Sequence, residues 1–371
     1  MNIRVATDTA QVRPCTPDDM PAVAGLFQRT FRDARIPAPA SLTRYLRELY
    51  FEHPWRDPAL ASKVFVADGA VRGFIGILPL RLAFRGTTLR AAVAGSLMVE
   101  RPQENPLAGA RLLRAYLSGP QDVSLSDSAN AVSCGMWERL GGKTAPSESM
   151  EWVRAFRPFA TAVALAAELA PPARFVRPIA SVADGIAGLF SRDLFGLQPA
   201  GAAAQEDEAS DDELIRLIPE LATAYEARPA WDPATLRWML AHAADKNRHG
   251  PMVRRIVRGK DGRALGCYVY YGRRGGVAWV LQLLTRPDAI APVLDHLFAS
   301  AFARGCVAVR GRTQARLLDP LQRRYCLFFQ RSATVVHSHD AELVAAIRGG
   351  EALVTGLSGD AWTRLVGDTF T

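Results

Sequence analysis

A chain of 371 residues exceeds one ordinary hydrophobic core and points to two domains. Hydrophobic content of 49% and charged content of 22% exclude a disordered or fibrous protein. The net charge of +8 raises nucleic acid as a partner, but 41 of the 45 basic residues are Arg, scattered without a dense tract, which argues against it; a phosphorylated small ligand fits the mild excess as well.

Cys15, Cys134, Cys267, Cys306 and Cys326 are widely spaced and odd in number, with no CxxC pair. They read as free thiols in a reducing, cytoplasmic setting, with no zinc site or disulfide framework expected. Met1–Asp8 has no apolar core for a signal peptide, and no uncharged apolar run reaches the ~18 residues a membrane span needs.

In chain order, Val12–Pro14 reads as a strand end and Thr16-Pro17-Asp18-Asp19 as a helix start, with Thr16 as cap. Met20, Val23, Ala24, Phe27 and Phe31 recur at helical spacing, and a second helix is expected over 40–52. Asp68-Gly69 predicts a tight hairpin between Lys63–Asp68 and Arg72–Leu78. Strands follow at Leu80–Arg90 and Ala91–Val99, then a loop at 100–106, a helix at Leu107–Leu117, a strand at Val123–Leu125 and a helix at Ala129–Leu140. Met150–Phe156 fits a last strand of the first unit.

Ala160–Leu169 and Ile179–Phe190 read as small-residue helices packed between domains. Gln198–Glu213, with its acidic run, reads as a mobile linker. The expected division is therefore 1–157, a connector over 158–212, and 213–371. In the second unit helices are expected at Glu213–Tyr225, Pro233–Ala244, Ala289–Ala303 and Ala315–Cys326. Strands are expected at Met252–Val257, Leu265–Tyr271, Val277–Leu284, Val307–Val309 and Thr334–His337.

The two units echo each other. Asp68-Gly69 matches Asp261-Gly262 at an offset of 193, Arg101-Pro102 matches Arg286-Pro287 at 185, and Val123 matches Val307 at 184. A near-constant offset indicates one supersecondary plan used twice. The larger first offset is read as a hairpin about eight residues longer in the second copy.

The element order, with Val12-Arg13-Pro14-Cys15-Thr16-Pro17-Asp18-Asp19-Met20 at its opening and Asn130 through Gly142 as its closing helix, resembles the GNAT acyltransferase superfamily over residues 12–155. The second half resembles it only through the repeat. The resemblance implies an α/β (α+β) fold of two GNAT-like domains, each a mixed, mainly antiparallel sheet flanked by helices. Fem-type transferases and protein-myristoylating enzymes are similar in having two such halves.

The resemblance implies acetyl-CoA or another acyl-CoA as co-substrate and a small-molecule, glycan or peptide acceptor. The cofactor would lie along Leu97, Met98 and Val99, at the helix start Ala108, Gly109, Ala110 and Arg111, and against Asn130 and Trp137. The family's phosphate loop carries glycines. Here its Arg/Gln position falls at Glu104 and its middle Gly at Leu107, and Pro106 has no N–H to donate. The family's acidic Tyr is replaced by Trp137, with Tyr116 nearby in sequence.

For a base, Glu100 at a strand end and Asp127 after the next strand are best placed. The carboxylate of the terminal Phe370-Thr371 is a further option. His337-Ser338-His339 lacks a third ligand at a diagnostic spacing, so no metal is expected. Two other readings stay open: a non-catalytic binding protein on a degenerate GNAT fold, and a Fem-like transferase using an aminoacyl-tRNA.

Overall fold

The computed structural model describes residues 10–169 and 204–370. The expected helix Ile179–Phe190 and the terminal Thr371 lie outside the described residues.

The first half begins with β1 (Gln11–Pro14), α1 (Met20–Phe31) and α2 (Ala40–Phe51). It continues through β2 (Lys63–Ala67), β3 (Ala70–Phe84), β4 (Thr87–Val99), α3 (Ala108–Leu117), β5 (Val123–Ala129) and α4 (Ala131–Arg139). It closes with β6 (Lys143–Ala145), β7 (Met150–Ala155) and α5 (Pro158–Leu169). The second half runs β8 (Ala204–Glu208), α6 (Asp211–Ala222), β9 (Ala227–Pro229), α7 (Pro233–Ala244), β10 (Met252–Gly259), β11 (Ala264–Tyr271) and β12 (Val277–Thr285). Then come α8 (Ile290–Ala303), β13 (Ala308–Arg312), α9 (Leu318–Gln322), β14 (Leu327–Gln330), β15 (Ala333–Ser338) and α10 (Ala341–Gly349).

Two sheets result, in the orders β1-β2-β3-β4-β5-β15-β6 and β8-β10-β11-β12-β13-β7-β14, with β9 added beside β3. Read side by side the orders correspond strand for strand. Each sheet holds one parallel pair, β4 with β5 and β12 with β13, joined by a helix, and its other pairings are antiparallel. Each half also gives its last strand to the other: β7 pairs with β13 and β15 with β5. The strand Met150–Ala155, expected to finish the first unit, is thus built into the second sheet.

Local chemistry explains most boundaries. Asp68 and Gly69 both have positive φ (52° and 70°), as a two-residue hairpin requires. Arg85 and Gly86 do the same (47° and 83°), so β3 and β4 form one long hairpin. The expected break between Leu78 and Leu80 is absent. Pro79 sits on β3 beyond the last β2 pairing at Ile75 and before the β9 pairing at Leu82, where β4 is its single flanking strand. The longer hairpin therefore belongs to the first copy, with strands of 15 and 13 residues against 8 and 9 for β11 and β12.

The acidic run is not a linker where it is described. Ala204–Glu208 is an edge strand on β10, and Glu206 and Asp207 pair with Arg255 (2.8 Å) and Arg258 (3.3 Å). Cross-strand arginines remove the self-repulsion that composition alone suggests. The capping box that starts α6 uses Ser210 and Glu213.

The main core runs between the halves, joining α1, α2 and β4 to α6, α7, β12 and the chain after α10. That final segment is buried along most of Ala352–Leu365 and threads between the two sheets. Among the described residues no helix is long and apolar enough to cross a membrane.

Candidate functional site

The parallel pairing of β4 with β5 covers only Ala91–Val93 against Val123–Leu125. Beyond it the strands part, β4 staying with β3 and β5 with β15. β4 also bulges: Phe74 faces Met98 and Gly76 faces Gly95, so Ser96 and Leu97 together oppose Ile75. Ser96 takes φ +54°, a left-handed conformation seldom held by a non-glycine residue without local support. The gap opens into a cavity of about 200 Å³. Phe27 and Phe31 of α1 and Arg32 just after it line one side. Ser126, Ser128 and Asn130 line another, with Ser133 and Trp137 of α4, and Asp360, Leu365 and Val366 come from the C-terminal segment.

At the inner end two buried carboxyl groups meet. Asp360 faces the cavity and Asp127 lies behind it, each 5% exposed. The Asp360 amide donates to Asp127 Oδ1 at 3.1 Å, and Ser128 Oγ donates to Asp360 Oδ2 at 2.8 Å. Burial, then the charge of Asp127, raise the Asp360 carboxyl well above the usual carboxylate range. The Asp360 carboxyl therefore keeps its proton to higher pH than a lone carboxyl does.

Missing side chains make room for it. A Cβ on Gly359 would stand 1.8 Å from Asp127 Oδ2, and one on Gly95 would stand 2.7 Å from Asp360 Oδ2. A Cβ on Gly76 would meet the Tyr50 hydroxyl at 2.1 Å. That hydroxyl bonds Ser96 and is kept protonated by burial, with the Asp360 charge acting the same way.

The segment that carries Asp360 is fixed from both halves. Lys246 Nζ donates to the carbonyls of Ala361 (2.7 Å), Thr363 (3.0 Å) and Val366 (2.7 Å) and stands 4.4 Å from the Trp279 ring centre. Burial pushes this amine down to about 7, yet three acceptors require three N–H donors. We assign the charged ammonium on that geometry. Asp368 accepts from the amides of Asn247 and Arg248 and pairs with Arg364 at 2.8 Å. Gln282 Oε1 accepts from the Leu357 amide, Tyr45 accepts from the Arg364 amide, and Trp362 packs against His53 and Trp238.

The equivalent opening of the second sheet is occupied by protein. Gln314, just past β13, donates to the Leu283 carbonyl at 3.1 Å and accepts a hydrogen bond from the Tyr225 hydroxyl. Gly356 closes on Gln282 so tightly that a Cβ would meet the Leu281 carbonyl at 2.5 Å.

A twice-used sheet plan with one open and one filled parallel gap can be compared with solved structures. A GCN5-related N-acetyltransferase from Kribbella flavida matches with a TM-score of 0.57 at 14% identity, over 91% of this chain and 73% of its own. The chain has the GNAT fold. A conserved protein from Enterococcus faecalis V583, described as a probable N-acyltransferase, matches at 0.59 and 12% identity over 89% and 73%. A GCN5-related N-acetyltransferase from Anabaena variabilis matches at 0.55 and 12% over 88% and 72%. No protein-family model and no curated protein sequence matches the chain.

On this GNAT-fold frame the residues singled out by sequence are spread over several places. Leu97, Asn130 and Trp137 line the cavity, while Met98 and Val99 are held in the β3–β4 ladder. Asn130 caps α4, its Oδ1 accepting from the Ser133 amide at 2.9 Å, and Trp137 is buried edge-on to Tyr116 at 5.8 Å. Ala108, Gly109, Ala110 and Arg111 form the first turn of α3, with Arg111 5.7 Å from the Phe65 ring centre.

Glu100 is elsewhere. It is clamped by Arg72 (2.6 Å) and Arg29 (2.8 Å) at the outer end of β4. The hydrogen bond from Arg72 leads in holding its carboxyl below the ordinary value. Tyr116 is also committed, donating to the Ala92 carbonyl at 2.7 Å inside the core. Asp360 was not singled out by sequence, because nothing local marks it and its partner lies 233 residues away. His337 and His339 meet edge-on at 5.7 Å, and no group of three metal-binding side chains gathers among the described residues.

Proposed function

We propose that the protein is an acyltransferase that takes an acyl group from acyl-CoA and delivers it to an amine or hydroxyl acceptor in the β4–β5 opening. The observation that carries this reading is the buried Asp360–Asp127 pair at the inner end of that opening, on a fold whose solved neighbours are described as N-acetyl- or N-acyltransferases.

The residues present suit an acyl-CoA unequally. The gap between the strands suits a narrow pantetheine arm. The loop Arg101–Leu107 has no glycine, its two prolines lack N–H donors, and Glu104 pairs with Arg101 at 3.3 Å. A diphosphate would depend on the Gly109 and Ala110 amides of α3, the helix dipole and the Arg111 side chain, since the amides of Ala108 and Arg111 already bond the carbonyls of Asn105 and Leu107. Acyl-CoA would supply the activated acyl group as a thioester.

This chain's own groups would handle the protons. Asp360 faces the cavity, and its raised proton affinity makes it a stronger base than a lone carboxylate. Asp360, once ionised, takes the proton of the attacking amine. The new C–N bond forms as the C–S bond breaks, and that proton passes from Asp360 to the departing thiolate. Asp360 ends ionised, as it began.

The glycine-free loop favours a second reading, a GNAT-fold protein that binds a ligand without turnover. A thermal-shift series with acetyl-, butyryl- and octanoyl-CoA, followed by thiol release with amine acceptors, separates the two. A shift with thiol release supports the transferase. A shift without release for any acceptor supports the binder, and no shift at all removes both.

A further inference from the structure

Arg32, at the C-terminal end of α1, lines the cavity together with Asp360. Its guanidinium lies 4.8 Å from the Phe27 ring centre. It donates to the main-chain carbonyls of Phe31 (2.9 Å) and Leu365 (3.0 Å), both neutral. Its Nε is buried and finds no hydrogen-bond partner among the described residues. The nearby carboxylate is Asp368, and that group is already committed to Arg364 and to the amides of Asn247 and Arg248. Burial and the positive charge of Arg248 both act against the Arg32 cation. A half-buried guanidinium with neutral partners and a spare donor lacks a counter-ion.

The same small cavity therefore has a cation on one wall and a proton-accepting carboxyl pair on another. Phe27, Phe31 and Leu365 supply an apolar lining between them. Resting on the acyltransferase reading, we infer that the acceptor is a small amine that also carries a carboxylate, an amino acid with an apolar side chain. The amine sits toward Asp360 and the carboxylate pairs with Arg32. A charged pairing of this kind discriminates against the neutral analogue, because the analogue leaves the half-buried guanidinium unpaired.

The test uses the full chain with acetyl-CoA held fixed and thiol release as the signal. L-leucine and L-phenylalanine are compared with isoamylamine and phenethylamine, which lack only the carboxylate. The amino acids are expected to show a KM about 10- to 100-fold lower. Arg32→Gln, checked for retained acetyl-CoA binding, should raise the amino-acid KM to the level of the simple amines with kcat much less affected. Arg32→Lys should recover part of the loss. Equal KM values for the two sets, turnover of neither, or an Arg32→Gln effect on kcat at unchanged KM overturns the inference. So does an Arg32-dependent preference for succinyl-CoA over acetyl-CoA, which would place the carboxylate on the acyl group. Failure of the wild-type chain to bind acetyl-CoA strikes the acyltransferase reading instead.

Discussion

Asp360 and Asp127 are 233 residues apart in sequence and share one buried site, joined by a hydrogen bond of 3.1 Å from the Asp360 amide to Asp127 Oδ1. The C-terminal segment brings the first of these to a strand end of the first sheet, so the site exists only when both halves and the tail are in place. If Asp360 is the base, Asp360→Asn should cut kcat by about 10²- to 10⁴-fold. Acetyl-CoA binding, measured by thermal shift, should survive.

The pair's electrostatics set a pH profile. Asp360 acts as base when ionised, so the rate should rise with pH through its raised titration. Asp127→Asn removes the neighbouring negative charge, which is the second cause of the raised Asp360 value after burial. The rising limb should move to lower pH and the plateau should fall, because a less basic Asp360 is a weaker catalyst. An unmoved limb assigns the titration to another group.

The same shift has a stability sign. In the unfolded chain Asp360 ionises near its ordinary value of about 4. The folded chain keeps the proton to higher pH, so between those two values it binds more protons and loses stability as pH rises. The side-chain amide of the Asp360→Asn variant stays neutral throughout. The melting temperature of Asp360→Asn relative to the wild type should therefore increase from pH 4 to pH 8 in calorimetric scans.

Gly359 tests the geometry without touching a carboxyl. A Cβ there would stand 1.8 Å from Asp127 Oδ2, far inside contact distance. Gly359→Ala should lose most activity and displace the pair. Gly109→Ala, whose Cβ would meet Met136 Sδ at an ordinary 3.5 Å, should be tolerated.

Lys246 is predicted to anchor the tail. Lys246→Met leaves three buried carbonyls without their shared donor and should cost on the order of 3 kcal/mol. Limited proteolysis should then cut within 351–370 sooner than in the wild type. Glu100→Gln offers the contrast. Its partners Arg29 and Arg72 are partly exposed, so the loss should stay within about 1 kcal/mol and leave kcat nearly unchanged.

Elements with local signals were legible in the sequence. Helix α7 begins at Pro233 because Asp232 caps it, Oδ1 accepting from the Thr235 amide at 2.8 Å. The Asp68-Gly69 hairpin and the near-constant offset between halves were legible in the same way. The Arg85-Gly86 turn was not, since arginine rarely takes positive φ and its presence signals nothing. The exchange of β7 and β15 was hidden because a strand's partner is a tertiary fact. The site shows the same split. Asp127 was visible as a strand-end carboxylate, whereas Asp360 sits in a segment with no periodicity, held by contacts from Lys246, Gln282 and Ser128 that only the fold creates.

The central claim is that the β4–β5 opening receives acyl-CoA. Calorimetric titration with acetyl-CoA tests it most directly, using the wild-type chain, Gly109→Ala and Gly109→Trp, whose indole would crowd the first turn of α3 against Met136 and Val99. Saturable one-site binding to the first two and none to the folded Gly109→Trp chain is the predicted result. No heat from the wild-type chain, or undiminished binding by Gly109→Trp, would contradict it.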